Sequence, residues 1–190
     1  MYKNIFALFL LLYLTLALAL PIHAAGDITV KSSTLVSGFP TSLTFKISAQ
    51  SSSPITDIRL HYTTGQLGFA RVTSEAFLVL TPAASVNAEW TWDMRRSGGI
   101  PPGTTIFYWW TITDSLGSTL TTTQSQFSFE DTRFQCQKLT QGKTTLFWYN
   151  GNQRFANDIM STTQQALQRL ATDNGATLQE PIRIYLYADS

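Results

Sequence analysis

The chain has 190 residues, a formal net charge of +1, 13% charged residues and 13% aromatic residues. A charge this close to zero provides no basic surface for nucleic acid and no polybasic patch for a membrane. Cys136 is the only cysteine, so an internal disulfide is excluded and the core must form by packing alone. We expect the Cys136 side chain to be buried in apolar packing rather than to pair between chains.

The N-terminus has the pattern of a secretory signal peptide. An apolar stretch at 5–20 follows Lys3 and ends before Pro21 and the small residues Ala24 and Ala25. This pattern assigns residues 1–25 to a signal peptide and predicts an exported, secreted or extracytoplasmic protein. At roughly 16 residues the stretch is short for a bilayer span of about 20. The alternative is an uncleaved segment at 5–20, which would be the chain's one membrane contact.

Residues 26–130 alternate apolar and polar side chains with a period of two, and turn sequences interrupt the alternation. The predicted strands are 28–36, 43–49, 58–62, 69–80, 86–92, 104–113 and 118–129. We expect Ser51–Pro54 to end the second of them. About seven short strands, each with one apolar face, predict two packed antiparallel sheets. The predicted fold is mainly β, an immunoglobulin-like or fibronectin-III-like sandwich.

Two details of the sandwich follow from the sequence. Leu120 and Phe127 would lie on opposite faces of a regular strand, so we expect a bulge near 122–125 that turns both inward. The turn Pro102-Gly103-Thr104 before an aromatic strand resembles the start of the sixth strand in fibronectin-III domains. That resemblance implies that the Tyr108 ring lies in the core and that its hydroxyl bonds to nearby backbone.

The last quarter of the chain changes pattern. We assign 131–143 to a linker and expect strands at 145–150 and 182–188, with a helix between them. Asn152 is the predicted N-cap and Asn174-Gly175 the helix stop. The predicted apolar face of the helix consists of Phe155, Ile159, Ala166, Leu167 and Leu170.

A lone β-α-β unit covers only one side of its sheet. We therefore interpret 144–190 as the start of a truncated α/β domain. We expect this quarter to be unstable, with the apolar side chains of Leu146, Trp148 and Ile184 uncovered.

The residues that could carry chemistry are few. His23 lies in the predicted signal peptide, and His61 lies on the polar face of its strand, which indicates a solvated surface histidine. A zinc site needs three or four ligands, and no serine is accompanied by a nucleophile motif. Glu89 and Asp93 would be about 13 Å apart on one strand face, too far for paired glycosidase acids. The sequence predicts no catalytic residue, no metal ligand, no cofactor site and no enzyme activity for this chain.

The aromatic residues of 104–113 are the best candidates for a binding surface. Phe107 and Trp109 share the strand face opposite Tyr108 and Trp110, so one pair must lie outside the sandwich core. One interpretation is that a following domain or a neighbouring loop covers Phe107 and Trp109. The alternative is that they are exposed and stack on sugars.

Three segments resemble a known family. Asp131-Thr132-Arg133-Phe134 followed by 144–151, and the later segment 181–187, resemble exported bacterial proteins of the peptidase MA-like (gluzincin-type) metallopeptidase family. In those proteins an immunoglobulin-like domain precedes the peptidase domain. The resemblance implies a zinc ion in a full-length parent, bound by a His-Glu-x-x-His helix whose glutamate is the general base. No such motif occurs in these 190 residues, so no catalytic residue is carried over.

Two functional hypotheses follow. In the first, the chain is the non-catalytic N-terminal portion of an exported zinc metallopeptidase-like protein, and its partner is the missing C-terminal peptidase domain. In the second, it is a self-contained extracytoplasmic module that binds a glycan or a protein through Phe107 and Trp109. The first predicts an unstable C-terminal quarter, and the second predicts a single cooperative unfolding transition.

Overall fold

The computed structural model describes residues 27–65 and 72–188. The predicted signal peptide and part of the predicted strand 69–80 lie outside the described residues. In the described ranges the chain is mostly β, as predicted, with one α-helix and a short 3₁₀ turn at Met94–Arg96. The first seven strands are β1 (Thr29–Gly38), β2 (Ser42–Thr64), β3 (Ser74–Phe77), β4 (Ala83–Asp93), β5 (Thr104–Asp114), β6 (Thr119–Thr121) and β7 (Ser125–Phe129). The rest are β8 (Gln137–Gln141), β9 (Thr144–Trp148), α1 (Gln153–Asn174) and β10 (Ile182–Leu186).

Strand β2 connects two layers of antiparallel strands. Its first half pairs with β1 and β4, and its second half pairs with β3 and β5. The pairing register shifts between Gln50 and Ile55, so the predicted end of a strand at Ser51–Pro54 is wrong. The strand bends there instead. Ser51 Oγ donates to buried Asp114 at 3.2 Å and Pro54 accepts from Ser115 N, which holds the bend in place.

The two layers face each other across one apolar core. The Phe45 ring of β2 lies 5.4 Å from the Tyr108 ring of β5, and Trp110 Nε1 donates to Ser33 Oγ of β1 at 2.9 Å. Tyr108 is 6% exposed, so the predicted position of its ring is confirmed. The described residues contain no hydrogen bond from its hydroxyl to backbone, so that part of the prediction is wrong. The ring instead packs in an aromatic cluster with Phe45.

The predicted bulge in the last strand of the sandwich is present. Thr111 pairs with Thr121 and Tyr108 pairs with Ser125, so two residues of β5 face three residues between β6 and β7. Within the interruption, Thr122 Oγ1 accepts a hydrogen bond from Trp110 N at 3.0 Å. The extra residue brings Leu120 and Phe127 into contact with the core, as the sequence predicted.

The C-terminal strands form a separate sheet in the order β10-β9-β8, covered on one side by α1. Strands β9 and β10 are parallel and α1 is their crossover. Asn152 Oδ1 accepts from Phe155 N at 3.0 Å, and Gly175 ends the helix with φ 71°, so both predicted helix ends are confirmed. Strand β8 lies inside 131–143, and the sequence analysis missed it. We call β8, β9, α1 and β10 the α/β unit.

Helix α1 turns toward its sheet a stripe that only partly overlaps the predicted one, because Ile159 of the predicted face packs against the buried cluster. Ala156 and Met160 are the buried residues, whereas Phe155 is 43% and Leu170 48% exposed. Ala166 is exposed as well. The small side chain of Ala156 lets the helix backbone approach the sheet closely, and the flexible Met160 fills the space beside it.

The expected burial of four side chains is also corrected. Leu146 and Trp148 are 0% and 1% exposed because α1 covers them, so they are not uncovered, and Ile184 is partly buried. Cys136, expected in apolar packing, is exposed because it lies in the irregular segment before β8.

Candidate binding surface

The outer face of the second sheet layer brings aromatic and charged side chains together. His61 of β2 pairs with Trp109 on β5 and with Glu75 on β3. Paired residues of antiparallel strands project to the same side, so all three lie opposite the core residues of β5. We call this surface the Trp109 face. It consists of Asp57, Arg59, His61, Glu75, Phe77, Phe107, Trp109 and Thr111.

At the centre of the Trp109 face, two rings stack. The His61 and Trp109 rings lie 5.4 Å apart with an interplanar angle of 13°. His61 Nε2 lies 2.9 Å from Thr111 Oγ1, and His61 Nδ1 lies 3.6 Å from Glu75 Oε2. The His61 side chain is only 17% exposed. The expectation of a solvated histidine is therefore wrong, because its cross-strand neighbours enclose the ring.

Arg59 continues the network away from the rings. Its Nε donates to Asp57 Oδ2 at 2.8 Å and its Nη1 to Glu75 Oε1 at 3.2 Å. The guanidinium lies 4.7 Å from the centroid of the Phe77 ring, which is 62% exposed. The hydrogen bond that Arg59 donates to Asp57, and then the Asp57 charge, raises the pKa of Arg59. The Arg59 guanidinium thus binds two carboxylates of this face.

Phe107 lies at the other end of the same face. It is partly buried and pairs with Thr63, which is 7% exposed. A Cβ on Gly65 would lie 3.3 Å from the Phe107 ring, so the Gly65 backbone already covers one edge of the ring. Trp109, by contrast, has only His61 as an aromatic neighbour in the described residues.

The α/β unit contacts the sandwich at a different place. Tyr185 Oη donates to Glu130 Oε2 at 3.1 Å, and Arg183 donates to the Gly103 carbonyl and lies 3.9 Å from Glu130 Oε1. Burial, and then the nearby Glu130 charge, raises the pKa of Tyr185 to about 12. Among the described residues, no hydrogen bond, ion pair or ring contact joins this unit to Phe107 or Trp109.

The segment between β7 and β8 is held by a second group of contacts. The buried Asp131 carboxylate accepts two hydrogen bonds from the Arg133 guanidinium, at 2.8 and 2.9 Å, and one from Arg133 N. These hydrogen bonds, the side-chain ones first, lower the pKa of Asp131. The Phe134 ring stacks on Tyr149 at 4.1 Å. The Asp131–Phe134 motif therefore connects the end of the sandwich to Tyr149, which directly follows β9.

The remaining acids considered from the sequence have simple surroundings. Glu89 lies 3.2 Å from Lys46 Nζ, and Asp93 accepts from Arg95 at 2.9 Å. Both ion pairs are on the surface, and the two acids are bound to different cations. The parts of the chain that the structure describes contain no group of three or more His, Cys, Asp or Glu that could hold a metal ion.

Sequence reasoning missed Arg59, Glu75 and Phe77 as members of this face. The alternation Asp57, Arg59, His61 was visible in the sequence. What the sequence could not reveal is that β3, four residues long, pairs beside that row.

Comparison with known proteins gives only distant likenesses. No protein-family model and no curated protein matches the chain. Wild-type OgpA from Akkermansia muciniphila aligns with a TM-score of 0.41 and 7% identity, over 56% of this chain and 28% of that one. Catalytically inactive OgpA in complex with an O-glycopeptide substrate aligns with a TM-score of 0.41 and 8% identity, over 56% of this chain and 30% of that one. A family 56 carbohydrate-binding module, a β-1,3-glucan binding domain, aligns with a TM-score of 0.32 and 22% identity, over 53% of this chain and 98% of that one.

These likenesses carry no argument about fold or function, because each TM-score is below 0.5 and each identity below 25%. The chain spans less than a third of the OgpA chain. As for membranes, α1 and the other described segments include no helix with the length and apolar character of a membrane span.

Proposed function

We propose that this chain is the non-catalytic N-terminal portion of an exported zinc metallopeptidase-like protein. The sandwich, assigned to 26–130, supports the α/β unit, and 144–190 begins the peptidase-like domain. Zinc belongs to the full-length parent and not to this chain, whose partner is the missing peptidase domain. The resemblance of Asp131–Phe134 and 144–151 to the peptidase MA-like family supports this proposal.

The contact of β10 with Glu130 is the observation that favours a role for the sandwich in supporting the α/β unit. Glu130 follows β7 at the end of the sandwich. Tyr185 and Arg183 of β10, in the α/β unit, both contact it. Gly103 packs against the same two side chains, and a Cβ there would lie 2.6 Å from the Tyr185 hydroxyl. The last strand of the α/β unit is thus seated on the end of the sandwich.

Hydrogen–deuterium exchange on the full chain tests this role. In Tyr185→Phe, which removes the hydroxyl that binds Glu130, we expect faster exchange in β9, α1 and β10 and unchanged exchange in β5. Glu89→Gln is the matched control, because Glu89 lies on β4 and pairs with Lys46. Unchanged exchange of the α/β unit in Tyr185→Phe would contradict the supporting role.

DNA sequencing tests whether a metallopeptidase parent exists. Reading the bases after the codon for Ser190 should show a frame, continuous or resumed after one frameshift, that encodes a His-Glu-x-x-His helix. A stop codon followed by unrelated sequence would contradict the metallopeptidase parent and leave the sandwich to be explained by itself.

A second candidate function is an extracytoplasmic binding module that uses Phe107 and Trp109. It is supported by the Trp109 face, which keeps a partly exposed tryptophan beside polar groups while the α/β unit binds elsewhere. A protein or a glycan would be its ligand. Loss of saturable binding in Trp109→Ala is the expected result, and binding equal to that of the parent chain would exclude this candidate.

A further inference from the structure

We infer that Trp109 is the stacking platform for a neutral oligosaccharide, on the ring face that points away from His61. This inference rests on the second candidate function and names its ligand class and position. His61 of β2 occupies one face of the indole. Because β5 lies between β2 and the β6–β7 edge, the opposite ring face points toward that edge.

On the side of the β6–β7 edge, Trp109 faces the interruption between the two strands. Thr111 has Thr121 as its neighbour on β6, and Phe107 has Gln126 on β7, but Trp109 falls at the interruption and has no ladder partner there. The residues at this edge are short or polar, and most are exposed: Thr121, Thr123, Gln124 and Gln126. Their hydroxyls and amides can donate to and accept from sugar hydroxyls, while the indole packs on the apolar side of a sugar ring.

The charges of the face favour a ligand without charge. Arg59 is bound by Asp57 and Glu75, and His61 lies beside Glu75. Among the described side chains of the Trp109 face, two carboxylates therefore surround one guanidinium. Among these described side chains, a carboxylate or sulfate on a ligand would meet no cation that lacks an acidic partner, and it would be repelled by the acids.

The platform is held in place before the ligand arrives. Trp109 stacks on His61, His61 is bound by Thr111 and Glu75, and Glu75 is bound by Arg59. A side chain that is already ordered loses little rotamer freedom on binding, so more of the stacking energy remains as affinity. His61 and Arg59 act here as positioning residues and not as ligand contacts.

Isothermal titration of the full chain with neutral hexasaccharides tests the inference. The probes are cellohexaose, laminarihexaose and maltohexaose, with a hyaluronan hexasaccharide as the anionic comparison. We expect at least one neutral probe to bind more tightly than hyaluronan. Trp109→Ala should weaken that binding about tenfold. Trp109→Phe should retain part of the affinity, and His61→Ala should weaken it less than Trp109→Ala.

Phe155→Ala is the matched control, because Phe155 is an exposed aromatic residue on α1 and should bind as the parent does. Equal thermal unfolding of Trp109→Phe and parent shows that a change in affinity is not a loss of fold. Equal binding by parent and Trp109→Ala, or no binding of any neutral probe, overturns the inference. Tighter hyaluronan binding, or self-association that Trp109→Ala abolishes, also overturns it while leaving the Trp109 face as a binding surface.

Discussion

The sandwich and the α/β unit are built with very different amounts of buried surface. The sandwich core draws fully buried side chains from β2, β5 and β7, adds buried ones from β3 and β4, and includes partly buried ones from β1. The buried cluster of the α/β unit, among the described residues, consists of Leu146, Trp148, Ala156 and Met160. Buried apolar area is the main favourable term in folding, so we expect the sandwich to fold alone. The α/β unit depends more on what it is attached to.

The largest expected effect comes from removing a buried tryptophan ring from either core, and the two substitutions should have different consequences. Trp110 is 1% exposed and joins both layers of the sandwich through Ser33. Trp110→Ala should cost about 3–5 kcal/mol and unfold the whole molecule at a lower temperature. Trp148→Ala removes an equally buried ring from the α/β unit and should lose helical circular dichroism while the sandwich remains folded. Loss of the entire fold in Trp148→Ala would contradict the comparison.

The attachment itself is tested at Gly103. Gly103 has φ 78°, and a Cβ there would overlap Arg183 and Tyr185. Gly103→Ala should therefore destabilise the α/β unit by about 1–3 kcal/mol through strain and steric overlap. Gly117→Ala is the control, since Gly117 has φ 82° but no atom within 4 Å of the added Cβ. Equal effects of the two substitutions on unfolding of the unit would show that the overlap is unimportant.

The Asp131–Arg133 ion pair should make the connection between the sandwich and the α/β unit sensitive to acid. The folded structure lowers the pKa of Asp131 below its ordinary value of 3.8, chiefly through the Arg133 side chain. A lowered carboxylate pKa gives stability that is present above pH 3.8 and is lost as the pH falls through the folded value. The free energy of unfolding should thus fall below pH 4, and Asp131→Asn should flatten that fall.

The acid titration has its own control. Asp93 also has a lowered pKa, owing first to its hydrogen bond with Arg95, but it lies at the end of β4 in the sandwich. Asp93→Asn should leave acid unfolding of the α/β unit unchanged. An equally steep fall in stability for Asp131→Asn and the parent chain would mean that this carboxylate does not stabilise the connection between the sandwich and the α/β unit.

The smallest effect is expected on the exposed side of α1. Leu170 is 48% exposed, so Leu170→Gln should change the free energy of unfolding by no more than about 0.5 kcal/mol. Met160→Gln, on the buried side of the same helix, should destabilise the unit strongly. Chemical denaturation followed by circular dichroism measures both. A larger loss in Leu170→Gln would show that the sequence-predicted apolar face is buried after all.

The sequence predicted what depends on local pattern. Period-two alternation located most strands, opposite parities of Leu120 and Phe127 located the bulge, and Asn152 and Gly175 set the helix ends. These features follow from neighbouring residues and backbone preferences, which are visible in one segment at a time.

What the sequence did not predict depends on contacts between distant segments. Ser51–Pro54 looks like a turn but bends a continuous strand, because Asp114, far along the chain, binds Ser51. The orientation of α1 depends on which stripe fits the sheet, and the environment of His61 depends on strands β3 and β5 beside it. The candidate site followed the same rule: parity placed Phe107 and Trp109 on the outer face, but only pairing brings Arg59 and Glu75 beside them.

Native-state hydrogen exchange of the unmodified full chain tests the central difference most directly. The amides of Leu60 and Trp110 report on the sandwich, and those of Leu146 and Trp148 report on the α/β unit. We expect the α/β unit to open with a lower free energy than the sandwich, so that its amides exchange while the sandwich amides stay protected. One common opening free energy for all four amides would contradict the account, because the chain would then be a single cooperative unit.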